Sequence, residues 1–292
     1  MSLRLKFNLV LLLALGVGYA VLGYFLWSFL ANNARDEVLA KARVMRESAL
    51  AMRSYTADQI RPLLQTVSAE RFLPHTVPSY AAQENFRLVS DSDEAYREYS
   101  YKEAALNPTN PSDRANAWEE DIIRAFREDP SRKEMVVERT AATGQMLVLA
   151  HPIQIKNEAC LICHSTPDAA PASMIAQYGE SNGFGWELNE IIGAQVVSVP
   201  MSVPLERAKE TFGIVMISLA VVFFVMLLII NTLLGIVVVR PISRLSDLAN
   251  EISLGNLDAP EMEPRGGGEI ASLTESFNRM RRSLENALRM IE

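Results

Sequence analysis

Cys160 and Cys163 are the only cysteines of this 292-residue chain, and both fall in one pentapeptide, Cys160-Leu161-Ile162-Cys163-His164. Two thiols separated by two residues and followed at once by an imidazole form the C-x-x-C-H arrangement of c-type haem attachment. The chemistry fixes the spacing. Two thiols must reach two vinyl groups of one porphyrin to form thioethers, while the adjacent imidazole turns under the ring to ligate iron as the proximal ligand. A structural zinc site would need four ligands, and the sequence holds no second C-x-x-C. A thioredoxin-like dithiol is the competing reading, since a compartment outside the cytoplasm permits disulfides. As both cysteines belong to the motif, the chain can hold one covalent haem and no other disulfide framework.

A low-spin haem takes a sixth ligand, usually His or Met. Two further histidines are present, His75 and His151. His75 lies in Phe72-Leu73-Pro74-His75-Thr76-Val77-Pro78, a proline-flanked loop able to aim a side chain at a pocket, and is the candidate distal ligand. His151 ends an apolar run shortly before Cys160, which makes it a candidate haem-pocket residue, as a ligand, a propionate partner or a strand end. Met45, Met52, Met174 and Met201 are weaker candidates, because methionine at helical spacing is more often core packing. An open sixth position is the remaining alternative.

Two uncharged apolar runs must frame this chemistry. Residues 7–30 and 212–239 carry no charge and are each long enough, as helices, to cross about 30 Å of hydrocarbon. The first run is longer than a signal peptide's apolar core and lacks a small-x-small cleavage site, so an uncleaved anchor is expected. Arg4 and Lys6 precede the first run, and Arg240 and Arg244 follow the second. Basic residues stay cytoplasmic, which places both termini inside and the motif outside. The net charge of −7 is not gathered into blocks, and nothing suggests nucleic-acid binding.

Between the runs, residues 32–70 read as one long helix. Val38, Ala42, Met45, Ala49, Met52 and Thr56 recur at alternating steps of four and three, a seam suited to a neighbouring helix and to a homodimer. A second helix is expected over 112–128, and strands over 134–140, 146–150 and 194–199, with Thr143-Gly144 as a turn. The result is an α+β domain with a small antiparallel sheet. The Gly- and aromatic-rich stretch at 178–186 follows the motif, and its aromatics could wall a porphyrin.

The order of these pieces resembles a family of PAS-like c-type haem sensor domains found in bacterial receptors. The resemblance rests on the loop at His75, Asn107-Pro108-Thr109-Asn110-Pro111, Ala150-His151-Pro152-Ile153, the Cys160 to His164 motif, Gly183-Phe184-Gly185-Trp186 and Val199-Pro200-Met201. It covers most of residues 33–210 and implies a PAS-like fold and sensing of a diatomic gas or of redox state.

After the second run come Arg240-Pro241-Ile242 and an amphipathic stretch with Leu245, Leu248, Ala249 and Ile252, which stops at Gly255-Asn256. A connector through Leu257, Met262, Pro264 and Gly266-Gly267-Gly268 leads to Glu269, and Ile270, Leu273, Phe277, Met280, Leu284, Ala287 and Ile291 then keep a heptad. Helix, connector and helix directly after a span resemble a HAMP domain, with Pro241, Gly255, Glu269 and Phe277-Asn278-Arg279-Met280 as matching residues. Gly268 stands where an Asp usually precedes the Glu. A half-buried heptad helix needs a partner, so a parallel four-helix bundle of two chains is expected.

The expected plan is a bitopic protein of the bacterial inner membrane: 1–6 cytoplasmic, 7–30 and 212–239 transmembrane, 31–211 the periplasmic sensor domain, 240–292 the HAMP domain. Its expected role is a transmembrane signal-transduction receptor, homodimeric through HAMP and the first long helix. A membrane-anchored electron carrier with one haem is the rival. No acid, base or nucleophile constellation suggests an enzyme. The sequence ends at Glu292 without kinase, cyclase or chemotaxis output, so a separate kinase or chemotaxis partner, or a shortened receptor gene, is expected.

Overall fold

The computed structural model describes residues 3–142, 144–256, 260–263 and 268–290. Thr143 of the expected turn, Leu257, Pro264, Gly266 and Gly267 of the connector, and Ile291 of the heptad lie outside the described residues. The chain divides into two units, Trp27–Glu210 and a second made of Met1–Leu26 with Thr211–Glu292.

The first unit is built on a four-stranded antiparallel sheet in the order β1-β4-β3-β2. Its strands are β1 (Ser100–Ala105), β2 (Met135–Ala141), β3 (Gly144–Gln154) and β4 (Ile191–Pro200). Alternation divides β3 and β4 between two cores, because successive side chains leave opposite faces. Leu147, Leu149, Val197 and Val199 face helix α1 (Leu3–Tyr55) and helix α3 (Pro78–Ser92), against Val38, Ala42, Ala49, Ala82 and Phe86. Val148, Ala150, Ala194 and Val196 face α4 (Ala117–Glu128), where they meet Ile122, Ile123 and Phe126. The seam expected to face a partner helix therefore lies on the chain's own sheet, with Val38, Ala42 and Ala49 fully buried. The narrow spacing marks a helix packed along an apolar sheet, so the partner expected for this seam is corrected to the chain's own β3 and β4.

The expected helix over 32–70 is interrupted. A π-turn, Thr56–Ile60, separates α1 from α2 (Arg61–Glu70), and the Arg61 amide donates five residues back to the Thr56 carbonyl. Pro62 supplies the reason: it has no N–H, and its ring would press on the carbonyl four residues before it. The same device recurs before Pro241, where the π-turn Gly235–Val239 precedes α8 (Arg240–Ser253). Helix α4 begins at Ala117 rather than at 112. Asn116 and Glu119 form a reciprocal capping box there, and Pro111–Asp113 is a separate 3-10 turn.

Two helical runs, Arg4–Leu64 and Ser202–Ser253, each contain a stretch long and apolar enough to cross a membrane. The Tyr19 hydroxyl donates to the Met216 carbonyl at 3.2 Å, and Tyr19 meets Phe223 edge-on. Beyond α7 (Ser202–Leu234), helices α8 and α9 (Glu269–Arg289) pack together, with Leu245 and Ala271 buried. Asn278 Nδ2 donates to the Met262 carbonyl at 2.8 Å, tying the connector to α9.

Candidate functional site

The motif occupies a tight helical turn. Asn157 Oδ1 accepts from the Ala159 amide at 2.9 Å and opens the 3-10 turn Glu158–Cys160, which runs into α5 (Leu161–His164). Residues three apart on such a turn share a face, so the motif presents Cys160 and Cys163 to the same side. Both thiols are free and half-buried. Burial pushes the Cys163 thiol up, which keeps it protonated.

His164 is held on several sides. Its Nδ1 lies 2.8 Å from the Gly183 carbonyl and 3.4 Å from the Thr109 hydroxyl. A carbonyl can only accept, so Nδ1 carries the proton and Nε2 is the nitrogen left to ligate. The Trp186 indole stacks on the imidazole at 3.9 Å and 15°. The Trp186 amide donates to the His164 carbonyl at 3.2 Å, and the Gly185 amide to the Ser165 carbonyl at 2.9 Å, which straps the two segments together. Burial holds the imidazole pKa below its ordinary value, aided by the Arg61 charge and partly opposed by the Gly183 carbonyl. The ring is thus neutral, the form that ligates metals.

The second segment is fixed from the 107–114 loop. Asn107 Nδ2 donates to the Phe184 carbonyl at 3.2 Å, its Oδ1 accepts from the Gly183 amide at 3.3 Å, and Arg114 donates to Asn182 Oδ1 at 3.2 Å. Gly183 is buried at φ +82°, and a Cβ there would run into the Thr109 side chain. Only glycine fits that conformation and approach.

Two arginines complete the surroundings. Arg61 Nε donates to the Thr76 carbonyl at 3.4 Å, and its charge is felt at Cys163 and His164. Arg53, at the end of α1, is paired with Glu103 of β1 and feels Cys160. Neither arginine had a sequence signal, since nothing local marks them. Asn107 and Gly183 did stand in singled-out stretches, but their convergence on His164 needs the fold.

Of the other histidines, His75 sits exposed on the 3-10 turn Pro74–Thr76, edge-on to Tyr80, next to the carbonyl that Arg61 holds. His151 lies within β3 on the α1 face, with Nδ1 2.7 Å from the Lys133 carbonyl and Nε2 3.5 Å from Glu134. Burial and the Arg46 charge push its pKa down to about 4. Met45, Met52 and Met201 pack into or against the core between α1 and the sheet, and Met174 is buried on α6 (Ala172–Tyr178). Among the described residues no group of three or more His, Cys, Asp and Glu could hold a metal ion by protein ligands alone.

Comparison with known proteins matches the two units to separate modules. No curated protein matches the chain. A solved structure entitled "Crystal structure of the cyanobacterial heme-protein Tll0287" shares 16% identity, covers 56% of this chain and 95% of its own, and superposes with a TM-score of 0.43. Residues 233–286 match the HAMP domain. Over residues 31–200, more than half its length, the chain matches the family model described as Tll0287-like, and it belongs to that family.

Proposed function

We propose that this protein is a transmembrane signal-transduction receptor that reads redox state or a diatomic gas through one covalent c-type haem and relays the state through its HAMP domain. The observation that carries this reading is His164, a neutral imidazole whose Nδ1 is occupied by the Gly183 carbonyl, on the same turn as two free thiols. That donor set suits the group: Cys160 and Cys163 would form the thioethers, and His164 Nε2 would ligate the iron. When bound, a haem would supply a one-electron couple and the capacity to bind a further ligand. The chain's own residues do the rest. Trp186 stacks on the imidazole plane, and the Gly183 carbonyl fixes its tautomer. The family match supports the haem, since the solved cyanobacterial relative is described as a heme-protein.

His75 is the better candidate for the distal position. His151 has one ring nitrogen on Lys133 and the other beside Glu134, whereas His75 stands on a short turn that Arg61 ties to the motif's neighbourhood.

The HAMP domain favours a receptor over an electron carrier, because electron transfer does not need it. Leu273, Met280 and Leu284 of α9 are exposed on a single chain, and burying them needs the second chain of a parallel four-helix bundle. We place the termini and HAMP domain in the cytoplasm and residues 31–211 in the periplasm, with 7–30 and 212–239 crossing the inner membrane. A partner kinase or chemotaxis protein would take the output.

Haem staining after denaturing electrophoresis tests the centre of the reading, and an unstained band would overturn it. Cysteine crosslinking at Leu273, compared between oxidised and reduced protein in membranes, tests the relay. Crosslinking that ignores the haem state would return the protein to the electron-carrier reading.

A further inference from the structure

We infer that Asn107 is a positioning residue for the iron: it holds the Gly183 carbonyl against His164 Nδ1 and so sets the haem's reduction potential. The inference rests on the reading that His164 Nε2 takes an axial position. Asn107 is far from the motif in sequence, yet its amide uses both ends on the segment that touches His164. Oδ1 accepts from the Gly183 amide at 3.3 Å, and Nδ2 donates to the Phe184 carbonyl at 3.2 Å. Those two bonds hold the peptide groups on either side of the Gly183–Phe184 peptide, whose carbonyl is the one His164 uses, at 2.8 Å. Thr109 closes the other side, with its side chain filling the space where a Gly183 Cβ would go. The Gly183–Phe184 segment therefore cannot shift as a whole away from the 107–109 loop without breaking the Asn107 bonds, and Thr109 sits close against Gly183 on the loop side.

The electronic consequence follows from second-shell chemistry. A ligating imidazole that donates its other N–H to a carbonyl becomes more basic, and its orientation is fixed. Greater electron donation stabilises ferric over ferrous iron and lowers the potential. Releasing the carbonyl weakens that donation, so the potential rises. Trp186, stacked on the same ring, keeps the imidazole plane in register while this happens.

The test compares full-length wild type and Asn107→Ala in detergent, each haem-stained and then titrated spectroelectrochemically. The expected result is covalent haem in both, with a higher potential in the variant. At one fixed applied potential its ferric-to-ferrous ratio should fall about tenfold, equivalent to about 59 mV for one electron. Equal potentials in two stained proteins would overturn the inference and leave the haem reading intact, whereas an unstained wild type would overturn the reading beneath it. Should Asn107→Ala yield no folded haem protein, Asn107→Gln is measured instead. It keeps both polar groups but displaces them by a methylene, and a wild-type potential there would equally overturn the inference.

Discussion

Arg53 of α1 and Glu103 of β1 form an ion pair in which Glu103 is buried to 5% exposure and Arg53 retains 29%. The Tyr101 hydroxyl also donates to Glu103, at 2.8 Å, and burial beside that carboxylate pushes the tyrosine pKa up. Glu103 faces Gln195 across the sheet, and Gln195 faces His151, so a buried polar row crosses three strands under α1. The row ends next to the motif, where Arg53 feels Cys160.

Removing one partner of such a pair leaves a charge without compensation in a poorly solvated place. Arg53→Met should lower the unfolding free energy by about 3 kcal/mol, the low end for buried pairs because Arg53 is partly exposed. Arg53→Met with Glu103→Gln should recover most of that loss. Chemical denaturation of the detergent-solubilised chain, followed by tryptophan fluorescence, measures both.

His151 makes the folded state sensitive to acid. Its folded pKa of about 4 lies below the unfolded value near 6.5, so the unfolded chain binds more protons between those two values. Stability contributed by neutral His151 is therefore present above pH 6.5 and is lost as pH falls towards 4, by at most about 3 kcal/mol. His151→Gln should flatten unfolding free energy against pH across that window. An unchanged slope would mean that other groups carry the acid sensitivity.

How far the fold was legible depended on where each element's reasons lie. The short apolar run from Met146 to Ala150 announces a strand locally, and the four-and-three spacing of the α1 seam announces a helix. Neither pattern names the surface opposite, and so the seam's partner was misassigned. Strand β1 carries Ser100-Tyr101-Lys102-Glu103-Ala104-Ala105, with two charges among six residues. Its strand identity rests on distant partners, Glu119 for Lys102 and Arg53 for Glu103. The attachment motif was legible because its chemistry is sequential. The clamp on His164 was not, since it joins residues from loops before α4 and before β4.

Gly193 shows the same dependence on pairing, since it has no unusual conformation and still needs to be glycine. It pairs with Ala105, and an added Cβ would run into the Ala104 carbonyl and come within 3.1 Å of Ala105 Cα. Backbone atoms of a paired strand cannot yield as a side chain end can. Gly193→Ala should cost about 1–3 kcal/mol, as overpacking does, and should raise hydrogen exchange selectively in β1. Exchange that rises evenly over the unit would argue against a strain localised to the β1–β4 pair.

The distal position can be separated from the core by spectra alone. His75 is exposed on a short turn, edge-on to Tyr80, whereas His151 is engaged by Lys133 and Glu134 inside β3. His75→Ala should convert a six-coordinate low-spin ferric spectrum to one with an open position that takes CO in the ferrous state faster than wild type. His151→Gln should leave the ferric spectrum unchanged at neutral pH, because the native imidazole is already neutral there and faces Glu134. The two variants thus give opposite expectations from the same absorption measurement. An unaltered His75→Ala spectrum in every redox and ligand state would remove His75 and turn attention to Met52, which packs against the core one residue before Arg53.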